Sequence, residues 1–464
     1  MRARHSAAVH MRTLRLFPCG AVLSVAITAS GCGGGTQSLP TMEQSNVLRA
    51  LNATGAGKIS HIVYIVQENR SFNNMFMGYP GAHTVSEGKT SSGKRVKLKP
   101  VSLTTLYDID HSANAMFTAC DGTGKLPGTK CRMDGFDKEQ AFGGPKDYPQ
   151  YVYVPHNESK PYWDMAHEWV LADKMFQSQL DESFVAHQYI IAAQAAWSVN
   201  LPSGAWGCSG YSYDVIATVT TSRGTDGPKI KPCYDYVTLG DELDKAHLSW
   251  RFYASAYGSA SSGDGSFWSS YQAVDHIYNG PDWNNDVISP NWKFITDVRH
   301  GKLANFTWIT PVCDDSDHVN CAGGFGPSWV AALVNTVGKS KFWDSTAIFV
   351  QWDDWGGLYD PVPPPYKNRD SLGFRVPLLV IAPYAKQDYV SHVEYETAGV
   401  LRFAEDLWGL AQMAPADKRA ISPAGDCFDF SQKPRKFVPI KAPEPPGFFM
   451  HQNDTVNYFA PDYE

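Results

Sequence analysis

His61-Ile62-Val63-Tyr64-Ile65-Val66-Gln67-Glu68-Asn69-Arg70-Ser71-Phe72 begins as an apolar run of strand length and ends abruptly in a carboxylate and an amide. The design recurs far downstream, where Ala347-Ile348-Phe349-Val350-Gln351-Trp352 runs into Asp353-Asp354 and then Trp355-Gly356-Gly357-Leu358-Tyr359-Asp360. Both stretches read as buried strands with hard oxygen donors at their carboxyl ends. Open α/β sheets place their ligands outside the carboxyl ends of the strands. The two acidic tips are therefore expected to meet, with Glu68, Asn69, Asp353 and Asp354 forming a cage for a metal ion.

Working outward, strand candidates follow at Trp169–Ala172, Trp250–Tyr253, Phe306–Ile309 and Pro377–Ile381, with helical patterns between several of them. This alternation predicts an α/β fold with a central mixed sheet covered by helices on both faces. One helix is expected over Pro327–Val337, where Trp329, Leu333, Val334 and Val337 share a face and Ser328 serves as cap. Others are expected from Ser183 to Ala196 and from Glu396 to Trp408, the last stopping at Gly409. Polar insertions at His83–Lys99, Asn200–Lys231 and Ala254–Ser266 have the length of functional walls or disulfide-tied excursions. From about Pro415 onward the chain reads as an irregular tail packed back on a single domain spanning 58–464.

The 464 residues and 43% apolar content allow a large core. At the N-terminus, Arg12 and Arg15 precede an apolar stretch from Leu16 to Ile27, and Ala29-Ser30-Gly31-Cys32 offers a small-residue cleavage site. Residues 1–31 are thus expected to be an export signal of lipoprotein type, with Cys32 as the lipidated residue and 32–57 as a flexible linker. Ala29 stands where such signals usually carry Leu, so plain secretion after nearby cleavage is the alternative. The expected location is periplasmic, outer-membrane-anchored or secreted, with membrane contact only through the lipid anchor. Removing residues 1–31 deletes four arginines and no acids, taking the formal charge from -7 to -11. An acidic chain repels nucleic-acid phosphates, and no basic cluster argues otherwise, so nucleic acid is not an expected partner.

Outside Cys19 and Cys32, seven of the nine cysteines remain, which in an exported protein read as a disulfide framework with one left over. Closeness in sequence pairs Cys120 with Cys131, Cys208 with Cys233 and Cys313 with Cys321, leaving Cys427.

Ser183 stands at the start of a Gly- and Pro-free helix former, where free N–H groups and the positive end of the dipole suit a phosphate oxygen. Taken alone, it reads as an ordinary N-cap. His111, in the polar turn Asp108-Ile109-Asp110-His111, and His318, in Asp314-Asp315-Ser316-Asp317-His318, are the candidate acid–base or phosphate-binding imidazoles. His187 and His392 adjoin apolar patterns and read as hydrogen-bonded structural histidines.

Taken in order, Glu68-Asn69-Arg70-Ser71-Phe72, Asp110-His111-Ser112, Met133-Asp134-Gly135-Phe136, Ser183-Phe184 with His187-Gln188, Asp317-His318, Asp353-Asp354-x-Gly356-Gly357-x-x-Asp360 and Gly373-Phe374-Arg375-Val376-Pro377 resemble the bacterial phosphoesterase family. That family contains the phosphatidylcholine-type phospholipases C and the respiratory-burst-inhibiting acid phosphatases, and the resemblance runs from about Ile59 to Leu410. It implies an alkaline-phosphatase-like α/β fold with one metal ion held by Glu68, Asn69, Asp353 and Asp354. It also implies Ser183 as the nucleophile and a further metal ligand, serine being the residue of the acid phosphatase branch where phospholipases C usually carry threonine. Two family histidines are absent, their places taken by Pro361 after Asp360 and by Asn74 after Asn73. The Gly-Gly usual before the nucleophile is Asp181-Glu182.

The expected activity is metal-dependent hydrolysis of phosphate esters through a phosphoseryl intermediate, the substrate being a small phosphate ester or a phospholipid headgroup. Phospholipase C action on a diester is the alternative. A catalytically inactive, surface-anchored binding lipoprotein is the rival of another class, and a sulfatase is disfavoured by the lack of a Cys/Ser-x-Pro-x-Arg motif. Oxygen ligands alone point to Mg²⁺, Ca²⁺ or Mn²⁺, with Zn²⁺ possible.

Overall fold

Two seven-residue strands, His61–Gln67 (β1) and Thr346–Trp352 (β6), lie side by side in parallel at the centre of an eight-stranded sheet. The computed structural model describes residues 54–452 apart from 181, 205, 256–267 and 322. The signal segment, Cys32, most of the linker, Asp181 and most of the 254–266 insertion lie outside these. The other strands are Val170–Ala172 (β2), Trp250–Tyr253 (β3), Val287–Ile288 (β4), Phe306–Ile309 (β5), Leu378–Ile381 (β7) and Tyr389–Ser391 (β8). Their order is β4-β3-β5-β1-β6-β7-β2-β8, and only β7 runs antiparallel to its neighbours.

Four longer helices cover the sheet: His156–Glu168 (α1), Ser183–Ala192 (α2), Gly326–Gly338 (α3) and Ala398–Trp408 (α4). Side chains alternate faces along a strand, so β6 shows which helix covers which face. Phe349 meets Phe403 of α4 edge-on at 5.1 Å, whereas Trp352, of opposite parity, meets Tyr162 of α1 at 4.8 Å. Tyr64 and Trp308 are in register with Phe349 and share its face, and Trp308 Nε1 donates to Ile190 O of α2 at 2.8 Å. Helices thus lie on both faces. The strands read as continuous apolar runs because both their faces are buried, as in mostly parallel sheets.

Several sequence expectations need correction. Ser328 is not a cap, because α3 starts two residues earlier and Ser328 Oγ instead accepts the Glu444 N–H at 3.4 Å. The Ser183 helix ends at Ala192 rather than Ala196, as Ala193 takes a left-handed conformation at φ 53°. α4 starts at Ala398 and stops at Gly409, whose φ of 68° suits a residue without Cβ. The 83–99 insertion is a built hairpin, with Glu87–Lys89 antiparallel to Arg95–Lys97. All three expected disulfides are present, and Cys427 is free and buried. The C-terminal tail packs back on the sheet layers: Asn335 exchanges two hydrogen bonds with Ile440, and Phe437 stacks on Trp169 at 5.8 Å.

Candidate active site

In the central strand pair Gln67 faces Trp352, so the residues that follow them, Glu68 and Asp353, emerge level with each other. A backbone bond from Asp353 N to Gln67 O at 2.9 Å fixes this junction. Asn69 then turns back in a left-handed conformation, φ 52°, and its N–H donates to Asp353 Oδ1 at 2.9 Å. Gly356, at φ 60°, lets the downstream loop approach, since a Cβ there would collide with the carbonyl oxygen of Asn69. Its N–H donates to Asp354 Oδ1 at 2.8 Å.

Ser183 is the first residue of α2, and its hydroxyl lies 3.3 Å from Asp354 Oδ2 and 3.4 Å from Asn69 Oδ1. The ordinary-cap reading therefore fails: Glu182 holds the N-cap position, and Ser183 faces the acidic tips. Asn69 Nδ2 donates to Asp354 Oδ2 at 3.3 Å and sits 2.9 Å from His111 Nε2. His111 Nδ1 donates to Ile109 O at 2.8 Å, so a neutral ring presents its Nε2 lone pair to Asn69. His318 meets His111 edge-on, ring centroids 6.2 Å apart, and lies nearly parallel to Trp268. Its Nδ1 accepts the Asn320 N–H at 3.1 Å, which leaves Nε2 to carry the hydrogen of a neutral ring.

The residue that sequence reasoning missed is His187. One turn above Ser183 on α2, its Nε2 donates to Glu68 Oε1 at 3.0 Å and lies 3.8 Å from Asp353 Oδ2. Glu68, His187 and Asp353 bring one ligand atom each within 4.8 Å of one another. The i, i+4 spacing to Ser183 was the available signal, because it puts both side chains on one helix face. Glu68, His187 and Asp353 could together hold a metal ion, which adds an imidazole to the oxygen donors expected from the sequence.

These residues fit a cation. Glu68, Asp353 and Asp354 are fully buried together, a costly arrangement unless a positive charge compensates. Asp353 Oδ2 in addition accepts no hydrogen bond among the described residues.

Other residues of the same motifs form scaffold. Arg70 Nε donates to Asp317 O at 2.6 Å, and Ser71 Oγ donates to Tyr359 O at 2.9 Å. Arg375 and Asp360 form a fully buried ion pair, with Arg375 over the Phe72 ring at 4.4 Å. Asn73 and Asn74, at the first of the two altered places, bind the Val85 and Val152 backbones rather than entering the site. Asp317 anchors the His318 loop by accepting from Tyr162 OH at 2.7 Å and Trp352 Nε1 at 3.0 Å. Burial pushes its carboxyl up to about 6, against the pull of Arg70 and these two donors.

The geometry defines a class: a three-layer α/β protein with a buried serine, carboxylate and imidazole centre at the carboxyl edge of its sheet. The chain belongs to the Phosphoesterase family, whose sequence model matches residues 59–411. It is similar to Phospholipase C B of Mycobacterium tuberculosis, 26% identical over 254 residues that make up 44% of this chain and 48% of that protein. It is also similar to the Non-hemolytic phospholipase C of Burkholderia pseudomallei, 21% identical over 91% of this chain and 65% of that one. The chain thus spans about half to two thirds of the length of these relatives. Among solved structures it is similar to a protein in the alkaline phosphatase superfamily from Vibrio parahaemolyticus, at 12% identity and a TM-score of 0.35 over 80% of this chain and 77% of that one. The PsFucS1 sulfatase from Pseudoalteromonas gives 10% identity and a TM-score of 0.41 over 86% and 78%.

Proposed function

We propose that this chain hydrolyses phosphate esters, with Ser183 as nucleophile and a phosphoseryl intermediate. The observation that carries the reading is the position of the Ser183 hydroxyl, at a helix N-terminus and within 3.4 Å of both Asn69 and Asp354. Glu68, Asn69, Asp353, Asp354, Ser183 and His187 are the residues to hold a divalent cation. When bound, such an ion lowers the serine's pKa and offsets the charge of the phosphoryl oxygens. With one imidazole in the set, Zn²⁺ suits it as well as Mn²⁺, Mg²⁺ or Ca²⁺.

The chain's own groups supply the rest. Asp354 Oδ2 accepts the serine hydroxyl hydrogen and orients the oxygen for attack. Free N–H groups in the first turn of α2 are placed to bind a phosphoryl oxygen. His318, with its hydrogen on Nε2, is the candidate to donate a hydrogen bond to a phosphate oxygen, and His111 holds Asn69 in register. Water then cleaves the serine ester and releases phosphate.

A monoester is the favoured substrate because a serine occupies the nucleophile position. The phospholipase C names of the relatives favour a lipid diester as the second reading. Three disulfides support an exported protein. Among the described residues no helix is long and apolar enough to cross a membrane.

The test is hydrolysis of a phosphate monoester, a phosphocholine diester and phosphatidylcholine with added metals, beside Ser183→Ala. Serine-dependent monoester turnover supports the phosphatase, and serine-dependent lipid cleavage supports the phospholipase C. No turnover of any of the three supports the binding lipoprotein and refutes both.

A further inference from the structure

We propose that a cationic groove beside the His111 hairpin is a docking surface for an anionic phospholipid bilayer. Lys94-Arg95-Val96-Lys97-Leu98-Lys99 alternates along an extended segment: Val96 and Leu98 are buried, while Arg95, Lys97 and Lys99 are exposed. Alternation puts these three cations in one row, successive members ~6.6 Å apart. Pairing of Arg95–Lys97 with Glu87–Lys89, and of Lys99–Pro100 with Val152–Tyr153, makes the row part of a built surface. Lys146 lines the same groove, of about 910 Å³. In sequence the stretch belongs to the 83–99 polar insertion, and the folded hairpin is what aligns its cations into a basic cluster.

The cations Lys94, Arg95, Lys97, Lys99 and Lys146 outnumber the three acids of the groove, of which Asp137 accepts from the Ser91 N–H and hydroxyl at 2.7 and 2.8 Å, Glu139 is buried and Asp147 is exposed. Glu87 pairs with Arg95. Among the described residues, no ion pair or hydrogen bond holds the side chains of Lys97, Lys99 or Lys146. On a chain of net charge -7, a positive face is what permits approach to an anionic surface.

A second observation selects a bilayer over a soluble polyanion. Leu106 and Phe142 are 64% and 45% exposed, at and beside the antiparallel pair Tyr107–Ile109 and Ala141–Gly143. Ala141 and Gly143 line the groove, and Phe142 between them, by strand alternation, points away from that lining and is exposed. Ammonium groups for lipid phosphates and exposed apolar side chains on the strand that borders them form the combination an anionic interface takes. A nucleic acid or acidic glycan can stack on Phe142 but gains nothing from Leu106. The same hairpin leads within two residues from Ile109 to His111, and Asp110 N donates to Gln140 O at 2.9 Å, so docking would occur on the element that carries a site histidine. The role of this surface in presenting substrate rests on the phosphoesterase reading, but the binding itself does not.

The experiment is co-sedimentation of the full chain with phosphatidylcholine vesicles, with and without phosphatidylglycerol. The chain carries Cys32→Ser to remove any acyl anchor and Ser183→Ala to spare the lipid. Binding is expected only with phosphatidylglycerol and is expected to fall with salt. Each lysine near an anionic surface contributes about fivefold, so Lys97→Glu/Lys99→Glu/Lys146→Glu should weaken binding at least ~100-fold. Leu106→Ser/Phe142→Ser should weaken it at least ~10-fold. Equal binding to neutral vesicles, no effect of the lysine triple, or retention on heparin without vesicle binding would overturn the proposal. In a Ser183 background the lysine triple should leave turnover of a water-soluble monoester unchanged. Lysine-dependent vesicle binding by a chain that turns over no ester would uphold the docking surface and refute the enzymatic reading.

Discussion

Asp360→Ala is expected to cost about 4–6 kcal/mol of folding stability, close to the whole ~5–15 kcal/mol of a typical domain. The Asp360 carboxylate accepts from Arg375 Nε at 3.0 and 3.2 Å, from Arg375 Nη2 at 3.0 Å, and from the N–H groups of Asn73 and Val362 at 3.0 Å each. Both partners of the pair are fully buried. Removing the carboxylate strands a guanidinium whose remaining hydrogen bond is from Nη1 to Asp173 O at 2.7 Å, and it orphans two backbone donors. Breaking a buried pair in this way costs ~3–5 kcal/mol, and the stranded donors add ~1 kcal/mol or more. Asp360→Asn keeps an acceptor and should cost about half as much. Asp360→Ala/Arg375→Met removes the stranded charge and should recover at least ~2 kcal/mol relative to Asp360→Ala. Reversible urea unfolding under oxidising conditions, followed by tryptophan fluorescence, measures all three. A loss below ~1 kcal/mol for Asp360→Ala, or strict additivity in the double variant, would refute the clamp.

Other expectations concern the site and its supports. His187→Ala should weaken binding of the divalent cation by at least ~10-fold, read by calorimetric metal titration, and an unchanged affinity would return His187 to a structural role. Gly356→Ala forces a Cβ onto the Asn69 carbonyl at a left-handed φ and should cost ~1–3 kcal/mol, with most of the turnover; wild-type urea midpoints and rates would contradict the close approach. The Asp317 carboxyl, raised from an ordinary 3.8 to about 6, makes the folded state bind the proton more tightly than the unfolded state does. Its contribution is therefore full below pH ~4 and lost as pH rises through ~6, by up to about 3 kcal/mol. Asp317→Asn should remove that component from the difference between urea midpoints at low and neutral pH, and an unaltered difference would refute the assignment.

The sheet and the acidic tips were legible because β1 and β6 are apolar runs that stop at a carboxylate, a pattern that needs no partner to be seen. Register was not legible, since the facing of Gln67 and Trp352 depends on the 284 residues folded between them. His187 reads as a structural histidine from sequence because all ten residues of α2 are buried, and in such a helix an imidazole has no polar face to stand out against. Arg70, Ser71 and Arg375 are motif residues like Glu68 and Asn69, yet their side chains serve the scaffold. Sequence order cannot separate the two roles, and only the direction of each hydrogen bond does. The end of α2 at Ala193 was hidden for a similar reason, because a left-handed alanine carries none of the signal of the glycine at 409.

The claim that organises the account is that Ser183 takes the phosphoryl group before water does. Each in-line displacement inverts the configuration at phosphorus, so two successive steps leave it unchanged. Hydrolysis of a chiral phosphorothioate monoester, labelled with oxygen isotopes and run in isotopically labelled water, reads this directly. Net retention of configuration is expected, and net inversion, the signature of direct attack by water, would contradict a phosphoseryl intermediate.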